Sequence, residues 1–148
     1  MFIDRTNLLN TISDQIREFY RLIKKESNKM LESEGITNGE FLMLKSVETG
    51  ISGVCDLAEE LGVAASYITS LSDKMIAKGY IERNRPEHDR RTVEIRLTKE
   101  GEVKYSLLNL KIRKNLATRF DTLTDEELEN FHNLLQKAFK SETKPEEV

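Results

Sequence analysis

The amino-acid sequence predicts a mainly helical chain carrying one small β-ribbon. Three observations lead to that class. Apolar residues recur at steps of three and four along most of the chain, Gly and Ser/Thr signals interrupt that spacing at short intervals, and one segment changes to two-residue alternation.

The first helix comes from Leu8, Ile12, Ile16, Phe19 and Ile23, which form one stripe with Asp14, Gln15, Arg17 and Lys24 between them. No Gly or Pro interrupts residues 4–34, so the spacing predicts a single helix of about 28 residues that ends near Gly35. Thr37 and Glu40 have the spacing of a capping box, in which each side chain satisfies a backbone N–H at a helix start. Phe41, Leu42, Leu44 and Val47 follow as the apolar set of a second helix.

Gly50 and Gly53 punctuate a short connection. Leu57, Ala58 and Leu61 then fit two turns of a third helix closed by Gly62, the residue type that most readily takes the left-handed conformation of a helix end. Ile68, Leu71 and Met75 carry a fourth helix to a similar stop at Gly79, so two short helices meet across a tight turn. The period then changes. Val93, Ile95 and Leu97 alternate with Thr92, Glu94 and Arg96 as a half-buried strand requires, Tyr80 and Ile81 supply a shorter partner strand, and the polar run Arg85 to Arg90 forms the loop between them.

Thr98 precedes a fifth helix with Val103, Leu107, Leu110, Ile112, Leu116 and Phe120, a stripe that drifts around the helix and so touches more than one surface. Thr124 and Glu127 form a second capping box, ahead of Leu128, Phe131, Leu134, Leu135, Ala138 and Phe139 on one face. Residues 141–148 read as a solvated tail. The expected organisation is a single domain over 1–148, in which a reading head at 36–98 lies between helical arms at 4–34 and 99–140.

Composition bounds the function. The chain is 38% hydrophobic and 33% charged, enough apolar material for a core, and its net charge of −3 excludes binding polyanions with the whole surface. Cys55 is the only cysteine and cannot form an intramolecular disulfide. No stretch approaches the ~20 apolar residues of a membrane span, and the start lacks a charged segment leading an apolar signal core, so the cytoplasm is the expected compartment and no membrane partner is expected. There is no Gly-rich phosphate loop, no metal-ligand spacing and no nucleophile with a local base, which leaves no cofactor or metal site and no enzyme signature.

Cys55 to Leu97 has the order helix, turn, helix, ribbon, the construction of a winged helix-turn-helix, whose second helix enters the major groove of double-stranded DNA while the ribbon loop reaches phosphates or the minor groove. With Ile68, Leu71 and Met75 inward, Ser66, Tyr67, Thr69, Ser70, Asp73 and Lys74 face outward. Thr69 and Ser70 lead as groove contacts, because a hydroxyl bonds phosphate or base edges and the Thr methyl packs on a thymine methyl. Alone, these would read as ordinary small surface residues; the basic ribbon beside them decides for DNA. Arg83, Arg85, Arg90, Arg91 and Arg96 face only Glu87, Asp89 and Glu94, a local charge of 5 − 3 = +2. Arg suits phosphate and narrow-groove contact. Asp89, two residues before Arg91, is expected in a tight loop to hold that guanidinium in a preset direction; the alternative is a solvated turn with incidental ion pairs, worth little each.

The chain resembles the MarR family of transcriptional regulators. The residues that carry the likeness are Asp56-Leu57-Ala58-Glu59-Glu60-Leu61-Gly62-Val63, then Lys78-Gly79-Tyr80-Ile81-Glu82-Arg83, and most specifically the run from His88 to Gly101, with its D-x-R wing, strand and L-T-x-x-G helix start. The resemblance covers nearly the whole chain. It implies a homodimer built by the terminal helices, two recognition helices on a roughly palindromic operator, Arg91 in or near the minor groove with Asp89 as its orienting partner, Ser66, Thr69 and Ser70 at the major groove, and Lys74 on the backbone. Ala64-Ala65 stands where the family often has Ser-Pro, leaving Ser66 as the nearest hydroxyl, and Tyr67 and Ser70 also depart from common choices, so no operator sequence transfers.

The resemblance further implies repression relieved by a small aromatic or anionic effector bound between arms and head. Arg17, Tyr20 and Lys24 could meet an anion, or form a solvated helix face. Cys55 reads as a small, semi-buried packing residue, with a thiol-responsive regulator as the alternative. Zinc-sensing relatives need clustered His and acidic ligands, whereas here His88 falls in the wing and His132 on the last helix, so specific zinc sensing is not expected. A winged-helix module that contacts proteins and has no specific DNA affinity is the alternative of a different class.

Overall fold

The computed structural model describes residues 3–89 and 91–141, so Arg90 and tail residues 142–148 lie outside the described residues. The chain divides into two compact units, Met1–Arg113 and Lys114–Val148.

In the first unit α1 runs Arg5–Ser33 as one uninterrupted helix. It starts where the Asp4 carboxylate accepts the N–H groups of Thr6 and Asn7, at 3.0 and 3.4 Å. α2 (Asn38–Glu48), α3 (Val54–Leu61) and α4 (Ala65–Ala77) follow the expected order. Gly62 closes α3 at φ 66°, a left-handed conformation that an L side chain would strain. The antiparallel pair β1 (Ile81–Asn84) and β2 (Glu94–Leu97) leads into α5 (Lys99–Thr118).

The core gathers Met43 and Leu44 of α2, Leu57 of α3, Ile68, Leu71 and Met75 of α4, Ile81 and Ile95 of the ribbon, Leu31 of α1 and Leu108 of α5. Two local expectations change here. Leu42 is exposed and Met43 is buried in its stead, because the inward stripe of α2 runs through residues 40, 43, 44 and 47 and helical rotation turns Leu42 away from it. Leu108 is the buried apolar residue of α5 and escaped the expected set; Val103, Leu107 and Leu110 are exposed. The helix is therefore two-sided: Tyr105 stacks on Phe41 at 5.9 Å between ring centroids, on the core side.

The capping box at Thr37 is half formed. The Thr37 hydroxyl oxygen accepts the Glu40 N–H at 3.2 Å. The Glu40 carboxylate, instead of returning to the Thr37 N–H, is buried against the Lys78 ammonium at 2.6 Å, and that ammonium also donates to the Gly35 carbonyl at 2.8 Å. A buried carboxylate requires such a partner, and the pair ties the turn between α1 and α2 to the end of α4.

The ribbon is shorter and better supported than expected. Val93 and Tyr80 lie outside the strands, whose register pairs Ile81 with Leu97 and Arg83 with Ile95. Tyr80 still belongs to the end of α4, its N–H bonded to the Met75 carbonyl at 3.0 Å. A third segment joins the sheet, since the Ile95 N–H donates to the Ser52 carbonyl at 2.8 Å and Gly53 bridges to Glu94.

The L-T-x-x-G run fastens ribbon to helix. The Thr98 hydroxyl donates to the Gly79 carbonyl and its oxygen accepts the Gly101 N–H at 3.0 Å, while the Thr98 N–H meets the Tyr80 carbonyl at 3.1 Å. Gly101 packs so closely that a Cβ there would lie 1.9 Å from the Tyr80 carbonyl oxygen. At the far end of α1, Glu34 accepts hydrogen bonds from Lys111 and, at 3.1 Å, Lys104.

In the second unit α6 runs Asp125–Lys140 behind a complete Thr124–Glu127 capping box, and Phe120 lies 5.8 Å from Phe131. No helix among the described residues is long and apolar enough to cross a membrane.

Candidate nucleic-acid interface

Helical rotation sorts α4 into two faces. Ile68, Leu71 and Met75 are buried, and Ser72, which shares their side, is accommodated by donating its hydroxyl to the Ile68 carbonyl at 2.7 Å. Ser66, Tyr67, Thr69, Ser70, Asp73 and Lys74 are all exposed on the other side.

Those exposed groups differ in what they leave available. The helix starts at Ala65 with Ala64 as a cap that offers no side-chain acceptor, so the amides of its first turn have no side-chain cap. Ser66, Ser70 and Lys74 have no side-chain hydrogen bond among the described residues. Thr69 donates its hydroxyl hydrogen to the Ala65 carbonyl at 3.2 Å, which leaves its methyl and oxygen lone pairs for a ligand. Tyr67 leans back over the start of α2: a Cβ at Gly39 would meet its hydroxyl oxygen at 2.5 Å, so glycine makes the room.

The loop between the strands is built from two turns. The Asp89 N–H donates to the Pro86 carbonyl at 3.2 Å, and the Asp89 carbonyl accepts the Thr92 hydroxyl at 2.9 Å. Pro86 is the buried residue at the start of this loop. The Asp89 carboxylate accepts the Arg91 backbone N–H at 3.0 Å, so it orders the main chain, and no ion pair joins it to the exposed Arg91 guanidinium. The expected carboxylate–guanidinium contact is thus replaced by an Asx turn, which a two-residue separation favours. Arg85 is exposed on the same loop, and Arg90 lies outside the described residues.

Arg83 is drawn the other way. From β1 it donates to the Asp73 carboxylate at 2.6 Å and to the Thr69 carbonyl at 3.4 Å, both on α4. Neither this pairing nor that of Glu40 with Lys78 was legible beforehand, because no spacing rule connects residues on different elements.

Elsewhere, Cys55 is exposed at the second position of α3, not semi-buried as expected, since the inward positions of that short helix are taken by Leu57 and Ala58. Arg17, Tyr20 and Lys24 are exposed on α1, with the Lys24 ammonium 6.0 Å from the Tyr20 ring centroid. No cluster of three His, Cys, Asp or Glu side chains able to hold a metal lies among the described residues.

A model of the MarR family matches residues 36–93. Over 137 residues the chain is 33% identical to the uncharacterized HTH-type transcriptional regulator YpoP of Bacillus subtilis (strain 168), covering 92% of this chain and 96% of that protein. A MarR family protein from Bacillus stearothermophilus has a similar structure, with a TM-score of 0.82, 27% identity, and coverage of 97% of this chain and 100% of that one. A mutant of MepR from S. aureus, solved bound to an oligodeoxyribonucleotide, shares the fold at a TM-score of 0.68 and 23% identity, covering 88% of this chain and 96% of that one.

Proposed function

This chain belongs to the MarR family, and on that premise we propose that it works as a homodimer that sets two α4 helices on a roughly palindromic operator. It is a helix-turn-helix transcriptional regulator and not an enzyme. The observation that supports this most is that α4 exposes its hydroxyl-bearing positions and is joined, through Arg83, to the strand that leads into an exposed arginine-bearing loop ordered by the Asp89 turn. Ser66, Thr69 and Ser70 take the major groove, Lys74 a phosphate, and Arg85, Arg90 and Arg91 the backbone or minor groove beside it, with Asp89 shaping the loop that aims Arg91. The DNA-bound state of the MepR mutant supports the same use of the shared fold.

The exposed apolar residues of α1 and α6 support the homodimer, since a second copy supplies the surface that covers them. Repression in the cytoplasm, relieved when a small aromatic or anionic effector binds, completes the reading. Such an effector must bind the DNA-competent and released arrangements unequally, or it shifts nothing.

The test is binding of purified protein to its own upstream DNA and to an unrelated duplex across a salt series, beside Arg91→Ala. Preference for the upstream DNA, a steep loss of affinity with salt and a penalty of about 1–3 kcal/mol in the variant are expected. Weak binding that ignores salt and sequence would instead indicate a winged-helix module that contacts proteins.

A further inference from the structure

We propose that Arg83 is a positioning residue that locks the wing to the recognition helix, and that Asp73 is its anchor on that helix; the inference rests on the DNA-binding reading above. Arg83 sits on β1, the strand that runs directly into the wing loop. Its guanidinium reaches the Asp73 carboxylate at 2.6 Å and the Thr69 carbonyl at 3.4 Å, two groups one helical turn apart on α4. A planar, multiply donating head can serve both acceptors at once, which a lysine ammonium on a flexible stem does with far less directional control. The contact therefore couples the strand that carries the wing arginines to the turn of α4 that carries Thr69 and Ser70.

The exposure of the pair identifies what it is for. Arg83 is 37% and Asp73 63% exposed, and an ion pair so open to water adds little to folding stability. Asp73 also stands on the face of α4 turned to a polyanion, where an uncompensated carboxylate opposes binding. An acid in that place is explained by what it holds, and Arg83 neutralises it as it is held.

Electrostatics and positioning predict opposite signs for one substitution. Asp73→Asn removes a negative charge beside DNA, so charge alone demands tighter binding; loss of the anchor demands weaker and less selective binding. The experiment selects a duplex with the wild-type protein from a random-sequence pool. Affinity for that duplex and for an unrelated one is then measured across a salt series for wild type, Asp73→Asn, Arg83→Gln and the double variant, with thermal melting of each protein recorded alongside.

Positioning is supported if Asp73→Asn loses about fivefold or more on the selected duplex, the low end of what one mismatched base pair costs. Under the same reading, unrelated-duplex affinity is held or raised and melting is unchanged. Arg83→Gln should keep the wild-type salt slope, and the double variant should bind no worse than the weaker single one. A selected-duplex affinity that is unchanged or tighter in Asp73→Asn, or a salt slope lowered by about 0.9 in Arg83→Gln as for a lost phosphate contact, overturns the proposal while leaving the regulator reading intact. Wild-type protein that selects no duplex overturns both.

Discussion

The reading head and the outer helices use the same amphipathic spacing and reach opposite ends. From α2 to β2 the inward apolar stripes are covered by their own neighbours, and Met43, Leu44, Leu57, Ile68, Met75, Ile81 and Ile95 all lie in the core, while Leu42, Val63, Tyr67 and Ile76 stay exposed outside those stripes. Along α1 the stripe of Leu8, Ile12 and Ile16 stays exposed until Leu31 reaches that core, and α6 has no buried residue at all. Periodicity states that a helix has a face to cover and is silent about what covers it. Short connections bring partners to the inner helices within one chain. The long α1 and the terminal α6 present faces of a kind that oligomers cover between chains.

The largest effect separates the two regions directly. Leu57 is 0% exposed and Phe139 is 84% exposed. Leu57→Ala should cost about 2–5 kcal/mol in chemical denaturation, while Phe139→Ala, measured at high dilution, should stay within about 0.5 kcal/mol. Equal costs would break the comparison.

Ile16→Asp, at a position 62% exposed, sharpens it. We expect the variant to be monomeric by light scattering at concentrations where wild type is dimeric, a loss of about 2 kcal/mol or more of association free energy, with little change in denaturation at high dilution. Wild type that is monomeric at every concentration would leave the exposed stripe without the partner proposed for it.

A smaller effect tests how tightly the head closes on itself. Gly101→Ala puts a methyl against the Tyr80 carbonyl, a backbone atom that cannot swing aside, and should cost about 1–3 kcal/mol by thermal melting. A neutral result would mean that the junction between ribbon and α5 yields easily.

Legibility followed the same division. Ile68, Leu71 and Met75 belong to one helix, and their spacing alone predicted which side of α4 is buried; Thr124 and Glu127, three residues apart, made the predicted cap. Glu40 carried the same cap spacing and departed from it because Lys78, 38 residues away, offered a buried carboxylate a stronger partner. The Ser52–Ile95 bridge, the approach of Gly101 to Tyr80 and the turn of Arg83 toward Asp73 are likewise contacts between elements, which local periodicity does not encode. For the interface, the outward residues of α4 were legible as a set; their individual availability was not. That depends on where each hydroxyl hydrogen goes, and Thr69 gives its own to Ala65 while Ser70 does not.

The smallest effect lies at the seam of the comparison, where α1 passes from its exposed stretch to the core. Hydrogen bonds from Lys111 first and Lys104 second hold the Glu34 carboxyl below its ordinary value of 4.5. A carboxylate whose folded value is depressed contributes stability that is complete above the ordinary value, declines as pH falls below it, and vanishes below the folded value. Wild type should therefore lose stability faster than Glu34→Gln as pH falls from about 4.5, with the gap between them constant above that range and closed at the acid end. Glu18, lowered by its hydrogen bond from Arg21, titrates alike in both proteins and drops out of the difference. Parallel pH profiles from denaturant titrations would show that the two lysines hold Glu34 no more firmly than water does, leaving the junction of α1 with the head to apolar packing by Leu31 and Met30 and to the Lys78 contacts.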